Sequence, residues 1–171
     1  MTKTEELNIT IFMAISVDGF IVGKNGETPW SDEEWKNYQT YLKKSDCLII
    51  GRTTYDIMEN DGDFDALGNP NVIVVTTTPI ENVLCSNSPE GAIEIAKQQN
   101  WKNIIVGGGK ILNSYFIKNN TAQYLHLDIE PVVLNGGLKL FEEENDVKTL
   151  SLLNSETLNS GTISIDYSIE S

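Results

Sequence analysis

The sequence LIIGRTTY at Leu48–Tyr55 joins a short apolar run to a polar segment through one glycine, Gly51. The sequence IIVGGGKIL at Ile104–Leu112 repeats this arrangement with three glycines, Gly107–Gly109. Glycine at such a junction lets the backbone pass close to a ligand, and the helix that follows directs its unpaired N–H groups at the same point. Both stretches therefore predict a strand, a ligand-binding glycine turn and a helix.

Each glycine turn is followed by a cation. Arg52 is the only arginine beside eleven lysines, and its planar set of donors can grip a phosphate in a way that lysine cannot. Lys110 follows the second turn. Taken singly, each turn is also typical of an ordinary connection between a strand and a helix. The two together favour a dinucleotide, which carries two or three phosphates.

Neither turn matches the two best-known phosphate-binding patterns. A Walker loop requires Ser or Thr after its lysine, whereas Ile111 follows Lys110. The pattern G-x-G-x-x-G fails because Leu112 stands where the last glycine belongs. The sequence therefore predicts a nucleotide site of another kind.

Composition limits what the chain can bind. Its 171 residues and 19.0 kDa suit one domain, residues 1–171, that buries roughly 70% of its unfolded surface. A net charge of −13 and a pI near 4.3 produce a field that repels nucleic acid and anionic membranes. We therefore expect a small-molecule partner, and neither a nucleic-acid nor a membrane partner.

The reactive side chains favour a reducing compartment and no metal. Cys47 and Cys85 lack C-x-x-C spacing and are expected to be free thiols. His126 is the only histidine, so a histidine-based metal site is excluded, and the ring is expected to pack in the core or at its rim. No apolar run reaches the roughly 18 residues of a membrane helix, so we expect a cytoplasmic protein.

Hydrophobic periodicity predicts an α/β fold. The expected strands are 8–16, 20–22, 46–50, 71–76, 103–106, 123–129, 147–153 and 162–169, and the expected helices are 32–44, 53–59, 89–99 and 110–118, with a loop at 60–70. This order predicts three layers, with a mostly parallel central sheet, helices on both faces and an antiparallel C-terminal hairpin. Ligands of such sheets bind at the carboxyl ends of the strands, where both glycine turns lie.

Six motifs in order resemble the dihydrofolate-reductase-like superfamily, and most closely the reductase domain of riboflavin biosynthesis. They are Met13–Gly19, Pro29–Trp30, Gly51–Tyr55, Thr76–Thr77, Gly107–Gly109 and Pro131–Phe141. The resemblance covers nearly the whole chain. It implies a dihydrofolate-reductase-like fold, an NADPH-dependent oxidoreductase and, by default, a homodimer.

The resemblance also implies how NADPH is held. Arg52 and Thr53 would lie at the adenosine phosphate or the pyrophosphate, Thr76 and Thr77 near the 2′-phosphate, and the three glycines at the pyrophosphate. The implied cofactor-binding residues are Ala14, Val22, Gly51, Arg52, Thr53, Thr54, Thr76, Thr77, Gly107, Gly108, Gly109, Lys110, Ile111 and Leu112, and the implied substrate-binding residues are Ser16, Trp30 and Ser31. A valine at Gly108 is therefore expected to exclude the pyrophosphate and to leave the fold intact.

One departure separates this chain from the folate reductases. The resemblance places their pterin-protonating acid about five or six positions after the residue that matches Trp30, and Trp35 and Lys36 stand there. Glu34 is adjacent, but there it would complete a capping box with Ser31. A shift of one helical position turns a side chain by about 100°, so Glu34 is expected to point away and dihydrofolate turnover to be negligible.

Asp18 and Glu34 are the candidate catalytic residues. Asp18 follows the pattern of the riboflavin-pathway reductases, but it could equally hold its own turn by accepting backbone N–H groups. The implied reaction is hydride transfer from NADPH to a small heterocycle, as in 5-amino-6-(5-phosphoribosylamino)uracil reductase. The alternatives are a dihydrofolate reductase that uses Glu34 and a nucleotide-binding module without turnover.

Overall fold

An eight-stranded sheet forms the centre of the structure, a computed structural model that describes residues 6–143 and 146–170. The strands are β1 (Asn8–Ser16), β2 (Phe20–Gly23), β3 (Cys47–Gly51), β4 (Val72–Val75), β5 (Leu84–Ser86), β6 (Asn103–Val106), β7 (Tyr124–Glu130), β8 (Gly137–Lys139), β9 (Leu150–Thr157) and β10 (Ile163–Ile169). The helices are α1 (Asp32–Lys43), α2 (Arg52–Asp61), α3 (Asp63–Ala66), α4 (Pro89–Gln98) and α5 (Lys110–Lys118).

The strand order is β5-β4-β3-β6-β1-β7-β10-β9. The first six strands run parallel, and β10 pairs antiparallel with β7 and with β9. β2 and β8 form a separate antiparallel pair. The predicted fold, with its parallel centre and antiparallel C-terminal hairpin, is confirmed.

Apolar side chains fill both faces of the sheet. Leu48, Ile49 and Ile50 are all fully buried, and Ile49 packs on one face with Phe116 of α5. Leu48 and Ile50 pack on the other face with Leu42 of α1. Because successive strand residues point to opposite faces, a strand covered on both sides has a continuous apolar sequence. The sequence could therefore locate β3 closely.

The structure departs from the predictions at short and irregular elements. The segment 60–70 is not all loop, because α2 continues to Asp61, Gly62 ends it with a φ of 76°, and α3 follows directly. The three-residue strands β5 and β8 are too short to show a period, and neither is predicted. The first strand of the C-terminal hairpin begins at Leu150 rather than at 147.

Cys47 is buried and Cys85 half-buried, and both are free thiols. Within residues 6–143 and 146–170, no cluster of His, Cys, Asp and Glu is arranged to hold a metal ion. No helix in that part of the chain has the length and the apolar character to cross a membrane.

Candidate functional site

The two glycine turns contact each other at the carboxyl edge of the sheet. The Gly51 N–H donates to the Gly108 carbonyl at 3.0 Å, and the Gly107 N–H donates to the Ile49 carbonyl at 3.0 Å. The turns are distant in sequence, and the pairing of β3 with β6 brings them together. They therefore form one site.

The two helices that follow these turns begin without a side-chain cap. Gly51 and Gly109 are the N-cap residues of α2 and α5, and neither first turn carries an acidic residue. In contrast, Ser31 caps α1 and Ser88 caps α4 through side-chain oxygens. Uncapped N–H groups at the positive end of a helix dipole attract anions. Both helices at this edge thus suit a phosphate ligand.

The glycines of the second turn differ in what they would tolerate. A Cβ on Gly109 would have nothing within 4 Å, so the space in front of this backbone is open. Gly108 has a φ of +96°, and its Cβ would lie 3.1 Å from the Met13 sulfur. A side chain at Gly108 would strain the backbone itself, so valine there would perturb the fold as well as the space for a ligand, and the survival of the fold stays a prediction.

Arg52 lies beside the end of β4. Its Nε donates to the two carboxylate oxygens of Asp56 at 2.8 and 3.0 Å, and its Nη1 donates to the Thr78 carbonyl at 3.4 Å. Thr76 Oγ1 donates to the same carbonyl at 3.1 Å. The Arg52 side chain is 43% exposed, and such an ion pair contributes only about 0–1 kcal/mol. An incoming phosphate could therefore compete for Arg52.

The other implied cofactor residues lie in different settings. Thr53, Thr77 and Ile111 are exposed, and Thr54, Lys110 and Val22 are half-buried. Leu112 packs in the core against Phe116 and its neighbours, so only its backbone could reach a ligand. Ala14 is buried in β1.

Polar side chains form rows across β1, β7 and β10. One row holds Phe12, His126 and Asp166, the next holds Ala14, Asp128 and Ser164, and Ser16 and Glu130 begin a third. Directly opposed residues of paired strands point to the same face, so these groups share one side of the sheet. His126, Asp128 and Glu130 are each at most 2% exposed.

Helix α1 covers these rows with one polar stripe. Ser31, Glu34, Asn37 and Tyr41 are spaced three or four residues apart and so lie on one helical face. The Tyr41 hydroxyl donates to Asp166 at 2.6 Å, and the Asn37 amide donates to both oxygens of Asp128 at 3.1 and 2.9 Å. The Ser31 hydroxyl donates to Glu130 at 2.9 Å. We call these groups the polar network beneath α1.

Glu34 lies inside this network. Its N–H donates to Ser31 Oγ at 3.2 Å, but the Ser31 N–H donates to Glu130 at 3.2 Å. Because Glu130 takes the place of the capping-box carboxylate, the capping-box prediction is wrong, and the Glu34 side chain faces the sheet at 5% residue exposure. Burial, and then the charges of Asp128 and Glu130, raise its pKa to about 8. Glu34 therefore keeps its proton at neutral pH.

Asp18, in the turn between β1 and β2, binds the backbone of the loop before β8. Its carboxylate accepts from the N–H groups of Leu134 at 3.0 Å and Asn135 at 2.8 Å, and the Leu134 contact is the main cause of its lowered pKa. Ser16 Oγ accepts from the Phe20 N–H at 3.0 Å. The Asp18 carboxylate therefore holds the loop before β8 rather than its own turn, and a catalytic role for Asp18 stays a prediction.

Most residues of the network are not predicted from the sequence. The missed residues are Asn37, Tyr41, Asp128, Glu130, Thr162, Ser164 and Asp166. The sequence does contain a signal that these polar residues share one face of the sheet. His126, Asp128 and Glu130 alternate with apolar residues, as do Thr162, Ser164 and Asp166. Alternation of this kind is usually a sign of a solvated face, whereas here α1 covers it.

Comparisons with known proteins agree with this fold. The family model of the RibD C-terminal domain matches residues 8–164. The uncharacterized protein YyaP of Bacillus subtilis (strain 168) is 27% identical, over 95% of this chain and 95% of its own. Dihydrofolate reductase type 15 of Escherichia coli is 30% identical, over 73% of this chain and 78% of its own.

A solved structure extends the comparison. It is that of a Shewanella sp. PV-4 protein provisionally assigned to riboflavin biosynthesis, and it superposes with a TM-score of 0.81 over 96% of this chain and 100% of that one. The two sequences are 21% identical. At that identity the likeness shows the fold alone.

The raised pKa of Glu34 predicts how stability depends on pH. The carboxyl ionises at its ordinary value of 4.5 when unfolded and at about 8 when folded, so the folded state binds one more proton between these values. Its contribution is fully present below pH 4.5 and is lost as pH rises through 8. Relative to Glu34→Gln, the parent should lose on the order of a few kcal/mol over this window.

Urea unfolding at several pH values measures this difference. The neighbouring Glu33→Gln is the matched control, and its unfolding free energy should follow that of the parent at every pH. Parallel curves for the parent and Glu34→Gln would contradict the buried, protonated state of Glu34.

Proposed function

The chain belongs to the RibD C-terminal domain family, and from that premise we propose that it is an NADPH-dependent reductase that transfers a hydride to a small heterocycle. One observation carries the proposal: two uncapped helix N-termini meet at one sheet edge, beside the only arginine of the chain. Such a cradle suits the phosphates of a dinucleotide. The nicotinamide, when bound, supplies the hydride.

Different residues at the sheet edge would bind different phosphates of the cofactor. The backbone of Gly107–Gly109 and the first N–H groups of α5 would receive the pyrophosphate, where the space in front of Gly109 is open. Arg52, Thr76 and Thr77 would receive the 2′-phosphate. A homodimer and a cytoplasmic location stay predictions.

Glu34 is the proposed proton donor. Glu130 and Ser16 end β7 and β1, and Gly51 and Val106 end β3 and β6, so the network around Glu34 and the glycine turns lie at the same edge. Tyr38, one helical turn after Glu34, has its hydroxyl 3.3 Å from where a Cβ on Gly107 would stand. Helix α1 thus reaches from the glycine turns to a buried, protonated carboxyl.

The charges near this acid favour a substrate without a phosphate at that end. None of the hydrogen bonds and ion pairs found in the network among the described residues involves Lys or Arg, whereas Asp128 and Glu130 are acidic. Lys36 is turned to the surface, 3.9 Å from Glu33. A ribose phosphate would meet negative charge there, so we favour the unphosphorylated heterocycle over the phosphoribosyl compound.

Dihydrofolate is the second candidate substrate. The expectation of negligible turnover depended on a Glu34 that points away, and the carboxyl is buried instead. The relative named dihydrofolate reductase type 15 adds support at 30% identity. Both candidate reactions would use NADPH and Glu34, so only assays with each substrate distinguish them.

Oxidation of NADPH tests the proposal directly. The substrates to be tested are dihydrofolate, 5-amino-6-(5-phosphoribosylamino)uracil and the same ribosylaminouracil without the phosphate. One of them should be reduced, with a rate that falls as pH rises through 8, and Glu34→Gln should slow it by about 10²- to 10⁴-fold. NADPH binding without any turnover would instead favour the nucleotide-binding module, and no binding would overturn both.

Arg52→Ala should weaken NADPH binding, because a charge-assisted contact is worth about 1.5–3 kcal/mol, or roughly 10- to 100-fold in affinity. NADH, which lacks the 2′-phosphate, should bind the parent and the variant alike. Asp56→Asn is the control, since it removes the internal partner of Arg52 and should not weaken NADPH. Titration calorimetry measures the affinities of the parent and of both variants. Equal NADPH affinity of Arg52→Ala and the parent would show that Arg52 does not bind the cofactor.

Gly109→Val should abolish NADPH binding while the fold survives. The backbone of Gly109 has an ordinary φ of −87°, and its Cβ would meet no protein atom within 4 Å. The side chain would occupy the space proposed for the pyrophosphate. A thermal melt beside a titration checks this, and unchanged binding by a folded variant would mean that the second glycine turn holds no phosphate.

A further inference from the structure

His126 joins two carboxylates, and the proposed reduction does not use it. Its Nδ1 lies 2.6 Å from Asp166 Oδ1 and its Nε2 lies 3.0 Å from Asp128 Oδ1. The side chain of Asp166 is 28% exposed, whereas those of His126 and Asp128 are at most 1% exposed. A buried histidine therefore connects the edge of the network to its interior.

The ring of His126 is held in this orientation. It stacks on Phe12 with centroids 4.3 Å apart and an interplanar angle of 17°, and Tyr41 lies on it at 4.3 Å. Turning the ring would break both carboxylate contacts and both aromatic contacts. Both nitrogens thus stay directed at oxygen.

Two contacts with ionised carboxylates require two donated protons. Nε2 also lies 3.3 Å from Ser164 Oγ and 3.4 Å from Asn37 Nδ2, but Asp128 Oδ1 is nearer at 3.0 Å. A neutral imidazole donates from one nitrogen only, whereas an imidazolium donates from both. Burial works to raise the pKa of Asp166, but hydrogen bonds from His126 and Tyr41 outweigh it and lower that pKa. Asp166 is therefore an anion that favours a positive ring beside it.

We propose that His126, as an imidazolium between Asp166 and Asp128, is a positioning residue that keeps Asp128 ionised next to Glu34. The use of this arrangement in proton donation rests on the proposed function. The titratable groups that face the ring are Asp128 from β7, Asp166 from β10, and Tyr41 from α1, and those that face Glu34 are Asp128, Glu130 and Tyr38. His126 is the one basic side chain among them.

The proposal explains why a lone carboxyl retains its proton. Asp128 receives two hydrogen bonds from Asn37 and one contact from the ring, which together compensate its charge. The Glu34 carboxyl has no hydrogen-bond partner among the described residues and faces this anion. Without the positive ring, Asp128 would take up a proton itself, and Glu34 would lose the charge that opposes its ionisation.

The single histidine makes the first test direct. Protein labelled with ¹⁵N-histidine gives ring signals from His126 and no other residue. Near neutral pH both ring nitrogens should carry a proton and show strong hydrogen bonding. A neutral ring with one unprotonated nitrogen would overturn the proposal.

The second test follows Glu34 by ¹³C labelling of glutamate carboxyls, with Glu34→Gln to identify its signal. His126→Gln and Asp128→Asn should each move the Glu34 titration midpoint down by about 1 pH unit or more, because a like charge is lost. In the Asp128→Asn background, His126→Gln should add no further shift. Additive shifts, an upward shift or an unchanged midpoint would each overturn the proposal.

Two further variants keep this test decisive. Asp166→Asn changes a partly exposed position and should lower the midpoint in the same direction even where His126→Gln does not fold. Tyr41→Phe removes a neutral donor to Asp166 and should leave the midpoint in place. An unchanged midpoint in Asp166→Asn would count against the proposal.

These measurements use the protein without cofactor or substrate, so they do not depend on reductase activity. A chain that reduces no heterocycle could still show the coupled titration, and in that case only the proposed function fails. If the protein reduces a heterocycle but the Glu34 titration is not coupled to His126, only this inference fails.

Discussion

The burial of three acidic side chains between one helix and the sheet, with a fourth at their margin, constrains the rest of this structure. Glu34, Asp128 and Glu130 are at most 5% exposed, and Asp166 lies at the edge. Removing a carboxylate from water costs several kcal/mol unless hydrogen bonds and charges compensate it. Asn37, Ser31 and Tyr41 supply donors from α1, so the helix can dock in only one register. That register carries Glu34 inward, and a slip by one residue would leave several buried oxygens unpaired.

The same docking connects the acid with the glycine turns. Parallel strands end at a common edge, so β3, β6, β1 and β7 present Gly51, the second glycine turn, Ser16 and Glu130 side by side. Helix α1 crosses this set, with Tyr38 against Gly107 and Glu34 against the polar rows. The proposed cofactor site and the proposed proton donor are thus positioned by one sheet, so a single domain of this fold could combine them.

Membership of the family bears on the fold, whereas the chemistry of the site bears on the substrate. A shared fold admits more than one substrate, and a relative that is 30% identical to this chain is named for folate reduction. Under the proposed function the residues around Glu34 would carry the discrimination between substrates, because they would set both the charge that a substrate meets and the proton that it receives. Substitutions in the polar network beneath α1 would therefore alter substrate choice more than substitutions in the glycine turns.

The sequence by itself determined the elements with strong local signals. Continuous apolar runs located β1 and β3, Ser31 and Ser88 marked helix starts, and the two glycine turns indicated the cradle, because each of these depends on residues close in the chain. Only the tertiary structure decided what covers the alternating strands β7 and β10. The side-chain period shows that His126, Asp128 and Glu130 share a face, but it does not show that a helix packs on that face. The inward orientation of Glu34 was missed for the same reason: the carboxylate that accepts from the Ser31 N–H is that of Glu130, which is distant in sequence and adjacent only after folding.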